Sequence, residues 1–153
     1  MIIRREQQPV ERATDEEVAQ LGAFELRRCS ELGRLTQFGA YVETLFPGAR
    51  SSNRHWHEEE DEFLLMLEGE ATVVEDDGEH LLHPGDVAAW PAGAPNAHQV
   101  VNRSDGPCSY LICGTRVPRD VVHYPDLGRT LYNDGSKWRL ESEGGTLIKE
   151  GTR

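Results

Sequence analysis

The run His55-Trp56-His57-Glu58-Glu59-Glu60-Asp61-Glu62-Phe63-Leu64-Leu65-Met66-Leu67-Glu68-Gly69 decides the fold. Two histidines stand at i and i+2, a carboxylate follows at Glu62, and an apolar run with strand character ends at a glycine. On a β-strand, residues two apart share a face with their Cα atoms roughly 6.6 Å apart. His55 and His57 can therefore reach one metal ion from the same wall. Imidazole suits zinc, copper, iron and nickel, and an added carboxylate moves a site toward octahedral iron or manganese chemistry. His98, further along, is the candidate for a fourth ligand on a neighbouring strand.

Outward from this run, the chain keeps the same texture. Residues 63–67 and 71–75 read as strands, and Asp76-Asp77-Gly78 is a hairpin turn leading to 80–82. Pro84-Gly85-Asp86 and Pro91-Ala92-Gly93-Ala94-Pro95 break the chain around a strand at 87–90; further strands follow at 97–102 and 109–113. Upstream, residues 37–46 alternate, with Phe38, Ala40, Val42, Thr44 and Phe46 on one face and Tyr41 and Glu43 on the other. Pro47-Gly48 turns the chain into a strand at 51–57. Short strands separated by Gly and Pro turns predict an all-β sandwich or small barrel.

The flanks differ. Residues 1–36 read as an N-terminal arm with one short helix, capped by Thr14 with Glu17 three residues on and stopped by Gly22. Residues 37–115 form the barrel. Residues 116–153 lose their periodicity and read as a tail packed on the barrel, with a turn at Asn133-Asp134-Gly135 and a hairpin through Trp138 and Leu140.

Composition narrows the function classes. A chain of 153 residues is one domain by default. A net charge of −11 argues against nucleic acid or an anionic membrane as partner, since both are bound mainly through Lys and Arg. Cys29, Cys108 and Cys113 form no disulfide framework, and the N-terminus lacks the apolar run of a signal peptide. The chain reads as a cytoplasmic protein.

At this point the residues resemble the cupin superfamily. Its first motif, G-x5-H-x-H-x3-4-E-x6-G, is filled by Gly48, His55, His57, Glu62 and Gly69, with six residues rather than five before His55. Its second, G-x5-P-x-G-x2-H-x3-N, is filled by Gly85, Pro91, Gly93, His98 and Asn102, with four residues rather than two before His98. Loops absorb such insertions. The segments around His55-Trp56-His57, Asn102-Arg103-Ser104-Asp105 and Tyr124-Pro125-Asp126 resemble a group of small bacterial single-domain cupins, some labelled sugar-phosphate isomerase-like. The resemblance implies a small antiparallel jelly-roll barrel, the double-stranded β-helix. It also implies one divalent metal ion per chain, held by His55, His57, Glu62 and His98; iron, manganese, nickel and zinc all suit these ligands. A homodimer, paired through sheet edges or exchanged N-terminal strands, follows by the same analogy.

Other residues have plainer readings. Glu58, Glu59, Glu60 and Asp61 read as a solvated charge run. Trp56 should point away from the metal, and Trp90 belongs to the core or barrel rim. His80 and His83 read as ordinary hairpin positions, while His123 is placed over the barrel mouth. Arg116 and Arg119 read as surface charge balance rather than an anion site. The expected function is a metal-dependent enzyme of a small polar molecule: an isomerase, a lyase or decarboxylase, or a dioxygenase. The alternative is a metal-dependent binding or sensing module without turnover. No catalytic group beyond the metal ligands is named by the sequence.

Overall fold

A computed structural model describes residues 1–152. Its strands, in chain order, are β1 (Glu11–Arg12), β2 (Phe24–Arg28), β3 (Phe38–Leu45), β4 (Trp56–His57), β5 (Glu62–Glu68), β6 (Ala71–Glu75), β7 (Gly78–Leu82), β8 (Val87–Trp90), β9 (Gln99–Val101), β10 (Cys108–Thr115), β11 (Arg119–Tyr124), β12 (Arg129–Asp134), β13 (Lys137–Ser142) and β14 (Leu147–Thr152). Two short helices, α1 (Asp15–Leu21) and α2 (Cys29–Leu32), flank β2.

The strands form a small antiparallel jelly-roll. One sheet has the order β1-β2-β3-β10-β5-β8, a second β7-β6-β9, and a third β14-β13-β12-β11-β4. Leu45, Leu64, Met66, Val73, Val100 and Tyr110 fill the space between them. Gly69 turns the chain between β5 and β6 at φ +74°, and a Cβ there would sit 2.5 Å from the Pro107 carbonyl. Only glycine meets both demands.

The α1 helix begins as its sequence predicts: the Glu17 amide donates to Thr14 Oγ1 at 3.3 Å and the Thr14 amide to Glu17 Oε2 at 2.8 Å. Elsewhere the local pattern misleads. On β3, the side chains that enter the core are Tyr41, Glu43 and Leu45, while Phe38 is 41% exposed. Cross-strand register explains this, because Glu43 lies opposite Tyr110, whose hydroxyl donates to Glu43 Oε2 at 2.6 Å. Burial pushes the Glu43 carboxyl up to about 7, against the opposing pull of the Tyr110 bond.

The predicted strand over 51–57 shrinks to β4, preceded by single bridges between Arg50 and Val101 and between His55 and His98. The tail departs most from its sequence reading. Residues expected to be mostly aperiodic form β11 to β14, and β11 joins the barrel by pairing Val122 with His57 and His123 with Trp56. The inward positions of β11 are Asp120 and Val122, both buried, and a carboxylate in an inward position erases the apolar alternation that marks a strand. The expected hairpin is present, with Asp134 opposite Lys137.

Candidate metal centre

His55, Glu62 and His98 cluster at ligating distances, while His57 reaches Glu62 with its Nε2 at 3.8 Å and clusters through its other side with Glu60 and Asp120. The His55 amide donates to the His98 carbonyl at 3.0 Å and the His98 amide to the His55 carbonyl at 2.8 Å, so the two histidines stand directly opposite each other. Their ring centroids are 5.0 Å apart, and those of His55 and His57 are 5.1 Å apart. Glu62, first residue of β5, reaches in from the facing sheet. Its Oε2 lies 2.7 Å from His98 Nε2 and 3.8 Å from Nε2 of both His55 and His57.

The opposite nitrogen of each ring is already engaged. His57 Nδ1 lies 2.6 Å from Asp120 Oδ2, His55 Nδ1 2.9 Å from the Asn53 carbonyl, and His98 Nδ1 3.3 Å from the Asn96 carbonyl. Assigned from these acceptors, each Nδ1 carries the proton and each Nε2 turns a lone pair toward Glu62. Three nitrogen lone pairs around one carboxylate oxygen repel one another unless a cation or a shared proton lies among them. The donor set therefore fits a metal ion of the type imidazole and carboxylate prefer.

The electrostatics agree. Burial takes His55 down to about 4, which keeps its ring neutral. Burial also pulls His57 down, but its bond to Asp120 together with the charges of Glu62, Asp120 and Glu60 outweighs this and holds the imidazole above its ordinary value. For Glu62, burial favours the neutral acid; the His98 bond and the neighbouring histidines overcome it and lower the carboxyl.

Asp120 is the residue that sequence reasoning missed. It is 4% exposed, and its second oxygen accepts the Glu59 amide at 3.1 Å. A carboxylate on the far nitrogen of a ligating histidine fixes the tautomer and raises ligand basicity. Only the pairing of β11 with β4 places it there, so no local signal marks it. Trp90 is a second such support. Its ring stacks on His98 at 3.8 Å and 8°, and its Nε1 donates to Glu75 Oε1 at 2.5 Å.

Asn102, the last residue of the second motif, is fully buried away from the ligands. Its Nδ2 donates to the Leu45 and Gly106 carbonyls, and its Oδ1 accepts from the Ser104 amide and hydroxyl. Its work is to lock the turn before β10.

The acidic run is more ordered than a solvated face. Glu60 is half-buried and accepts the Val117 amide at 3.2 Å, Asp61 Oδ1 accepts the Ala92 amide at 2.7 Å, and Glu58 lies 2.7 Å from His123 Nε2. His123 does not cover the barrel mouth: it faces outward and stacks on Trp56 at 4.2 Å and 13°. Trp56 thus points away from the ligands, as strand parity predicts. Arg116 is held by Glu31, and Arg119 pairs with Asp134 at 2.9 Å. Glu75, Asp77 and His80 also cluster, at the exposed tip of the β6–β7 hairpin.

A cavity of about 250 Å³ opens against His55 and His57. Glu60, Asp120 and Tyr124 give it polar groups, and Val117, Val122 and Leu131 give it apolar walls. The Tyr124 ring lies 5.8 Å from that of His55.

Comparison with known proteins agrees with this architecture. The cupin domain family matches residues 41–114. A crystal structure from Silicibacter pomeroyi, named as a sugar phosphate isomerase from a cupin superfamily, is 36% identical; the match covers 97% of each chain with a TM-score of 0.89. The chain belongs to the cupin superfamily. A structure from Acidithiobacillus ferrooxidans, also carrying a sugar phosphate isomerase name, is 23% identical over 90% of this chain and 95% of that one, with a TM-score of 0.78. One from Thermotoga maritima, named as a predicted oxalate decarboxylase, is 21% identical over 76% of this chain and 100% of that one, with a TM-score of 0.64. At these identities the last two speak for the cupin fold alone. No curated protein matches the sequence.

Proposed function

We propose that this cupin holds one divalent metal ion through His55, His57, Glu62 and His98 and acts on a small polar molecule at that site. The observation that carries this is the convergence of three Nε2 atoms on Glu62 Oε2, within 3.8 Å, with every Nδ1 committed elsewhere. Such an ion, when bound, supplies Lewis acidity to a ligand's oxygens. The protein's own part is to orient and exclude. Asp120 and Trp90 hold two of the imidazoles, Val117, Val122 and Leu131 shape the cavity beside them, and Glu60 and Tyr124 offer polar contacts to the ligand. Isomerisation, lyase or decarboxylase chemistry, and dioxygenation all use such a site.

Elemental analysis of the purified protein beside His57→Ala tests the reading. About one equivalent of iron, manganese, nickel or zinc in the wild type, lost in the variant, supports it. Less than about a tenth of an equivalent after reconstitution sinks it.

We also infer a homodimer. The outer face of β3, β10, β5 and β8 exposes Phe38, Phe63 and Val87 beside half-buried Val42, Leu65 and Leu111. In a chain of net charge −11, two copies repel except across such an uncharged apolar patch. Light scattering at micromolar concentration should give twice the protomer mass; the protomer mass itself would refute the dimer. The cysteines are all free, which suits the reducing cytoplasm in which we place the protein.

A further inference from the structure

We propose that the cavity beside the metal ligands takes an uncharged, hydroxyl-bearing small molecule and rejects its phosphate esters. This rests on the metal-site reading above and narrows its substrate class.

The lining carries the inference. A phosphate group is bound through Arg, Lys or a run of backbone amides at a helix N-terminus. Among the described residues that line this cavity there is no Arg or Lys, and the one helical start at its edge, Tyr124 before the single 3-10 turn Pro125–Leu127, is too short to supply a run of amides. Two carboxylates face it instead, Glu60 and Asp120.

Strand parity turns two of the nearby arginines away. On β11, Asp120 and Val122 share the inner face with His57, which turns Arg119 outward. Pairing with Tyr132 likewise puts Arg139 on the outer face, where its guanidinium lies 4.2 Å from the Tyr132 ring centroid. Arg54 is consumed by a two-point bond to Asp126 at 2.7 and 3.0 Å. Arg129, opposite Tyr124, and Lys149, over the Trp138 ring, do share the inner face. Both are exposed and lie outside the lining.

The hydrogen-bonding inventory points to hydroxyl donors. Both oxygens of Asp120 are engaged, by His57 and by the Glu59 amide. Glu60 Oε1 takes the Val117 amide, while its Oε2, 3.9 Å from His57 Nδ1, is left to accept from a ligand. A ligand hydroxyl satisfies that oxygen, whereas a phosphate oxygen repels it. The 250 Å³ volume equals about eight waters at 30 Å³ each, room for a small polyol or sugar.

The test is calorimetric titration of manganese-loaded and metal-free protein with matched pairs: D-ribose and D-ribose 5-phosphate, D-glucose and D-glucose 6-phosphate, D-fructose and D-fructose 6-phosphate. Each parent sugar should bind the loaded protein at least about tenfold more tightly than its ester. Glu60→Gln should weaken the parent sugar and narrow that ratio, and Arg129→Ala should leave it unchanged. An ester that binds as tightly as its parent overturns the proposal, as does loss of ester binding in Arg129→Ala. Binding of neither member of any pair overturns the hydroxyl-bearing class. Failure to load manganese or any other divalent ion is a separate result: it sinks the metal-site reading, and the metal-free titrations then decide the charge preference alone.

Discussion

The segment that carries the four proposed ligands and the C-terminal sheet that walls the cavity meet at His57, yet they announce themselves very differently. Residues 55–98 show their purpose in spacing: histidines two apart, a carboxylate, then glycine and proline turns at set intervals. Residues 119–152 show almost nothing, although they supply Asp120, Tyr124 and Leu131 to the same site. Ligands must meet at one point, which restricts both residue type and spacing. Cavity walls and orienting groups need only arrive across a sheet, and many sequences deliver them. Spacing therefore marks the candidate ligands in the first region, whereas the second supplies most of the cavity lining without a local signal.

The sharpest way to break this division is His98→Ala. Metal content should fall below about a tenth of an equivalent, because the imidazole nearest Glu62 is removed from the proposed ligand set. Near-stoichiometric metal in that variant would remove His98 from the ligand set.

Next in size is a test on the barrel wall itself. Glu43 holds a proton in the folded chain up to about pH 7 that the unfolded chain releases near 4.5. Between those values the native state binds more protons, so this stabilisation is whole below about 4.5 and is lost as pH rises through 7. Relative to wild type, Glu43→Gln should therefore gain stability between pH 5 and 8, by up to about 3 kcal/mol. Urea melts at both pH values check this; parallel pH dependences would refute it.

Asp120→Asn probes the join between the two regions. It should weaken metal binding by about 10- to 100-fold while leaving the melting temperature of the metal-free protein within a few degrees. If affinity is unchanged, the C-terminal sheet plays no part in holding the ligands. Trp90→Phe keeps a ring on His98 but removes the bond to Glu75, and a loss of about threefold is expected in a competition titration with a chelator. Leu131→Ala should change metal affinity by less than about twofold, since it touches the cavity alone. A larger effect would show that wall and ligands are coupled.

Much of the fold was legible. The turn clusters at 76–78, 84–86 and 91–95 separate strands where the structure has them, and the Thr14–Glu17 cap starts α1. The tail and the inner face of β3 were not. Asp120 and Glu43 stand at inward positions where a reading of hydrophobic alternation expects apolar side chains, and each is made tolerable by distant partners, His57 and the Glu59 amide for Asp120 and Tyr110 for Glu43. Glu60 was hidden in its own run, because four consecutive acids look alike until the backbone turns one of them inward.

By itself, then, the sequence determined the all-β cupin barrel and which side chains converge, since turn chemistry and ligand spacing are local properties carried by neighbouring residues. Only the tertiary structure decided what surrounds them: the carboxylate behind His57, the indole on His98, and a cavity wall from which Arg119 and Arg139 turn outward. The first depends on register between strands 63 residues apart, the pairing that sets His57 beside Asp120. A shift of one residue would reverse every such side chain without altering any local signal.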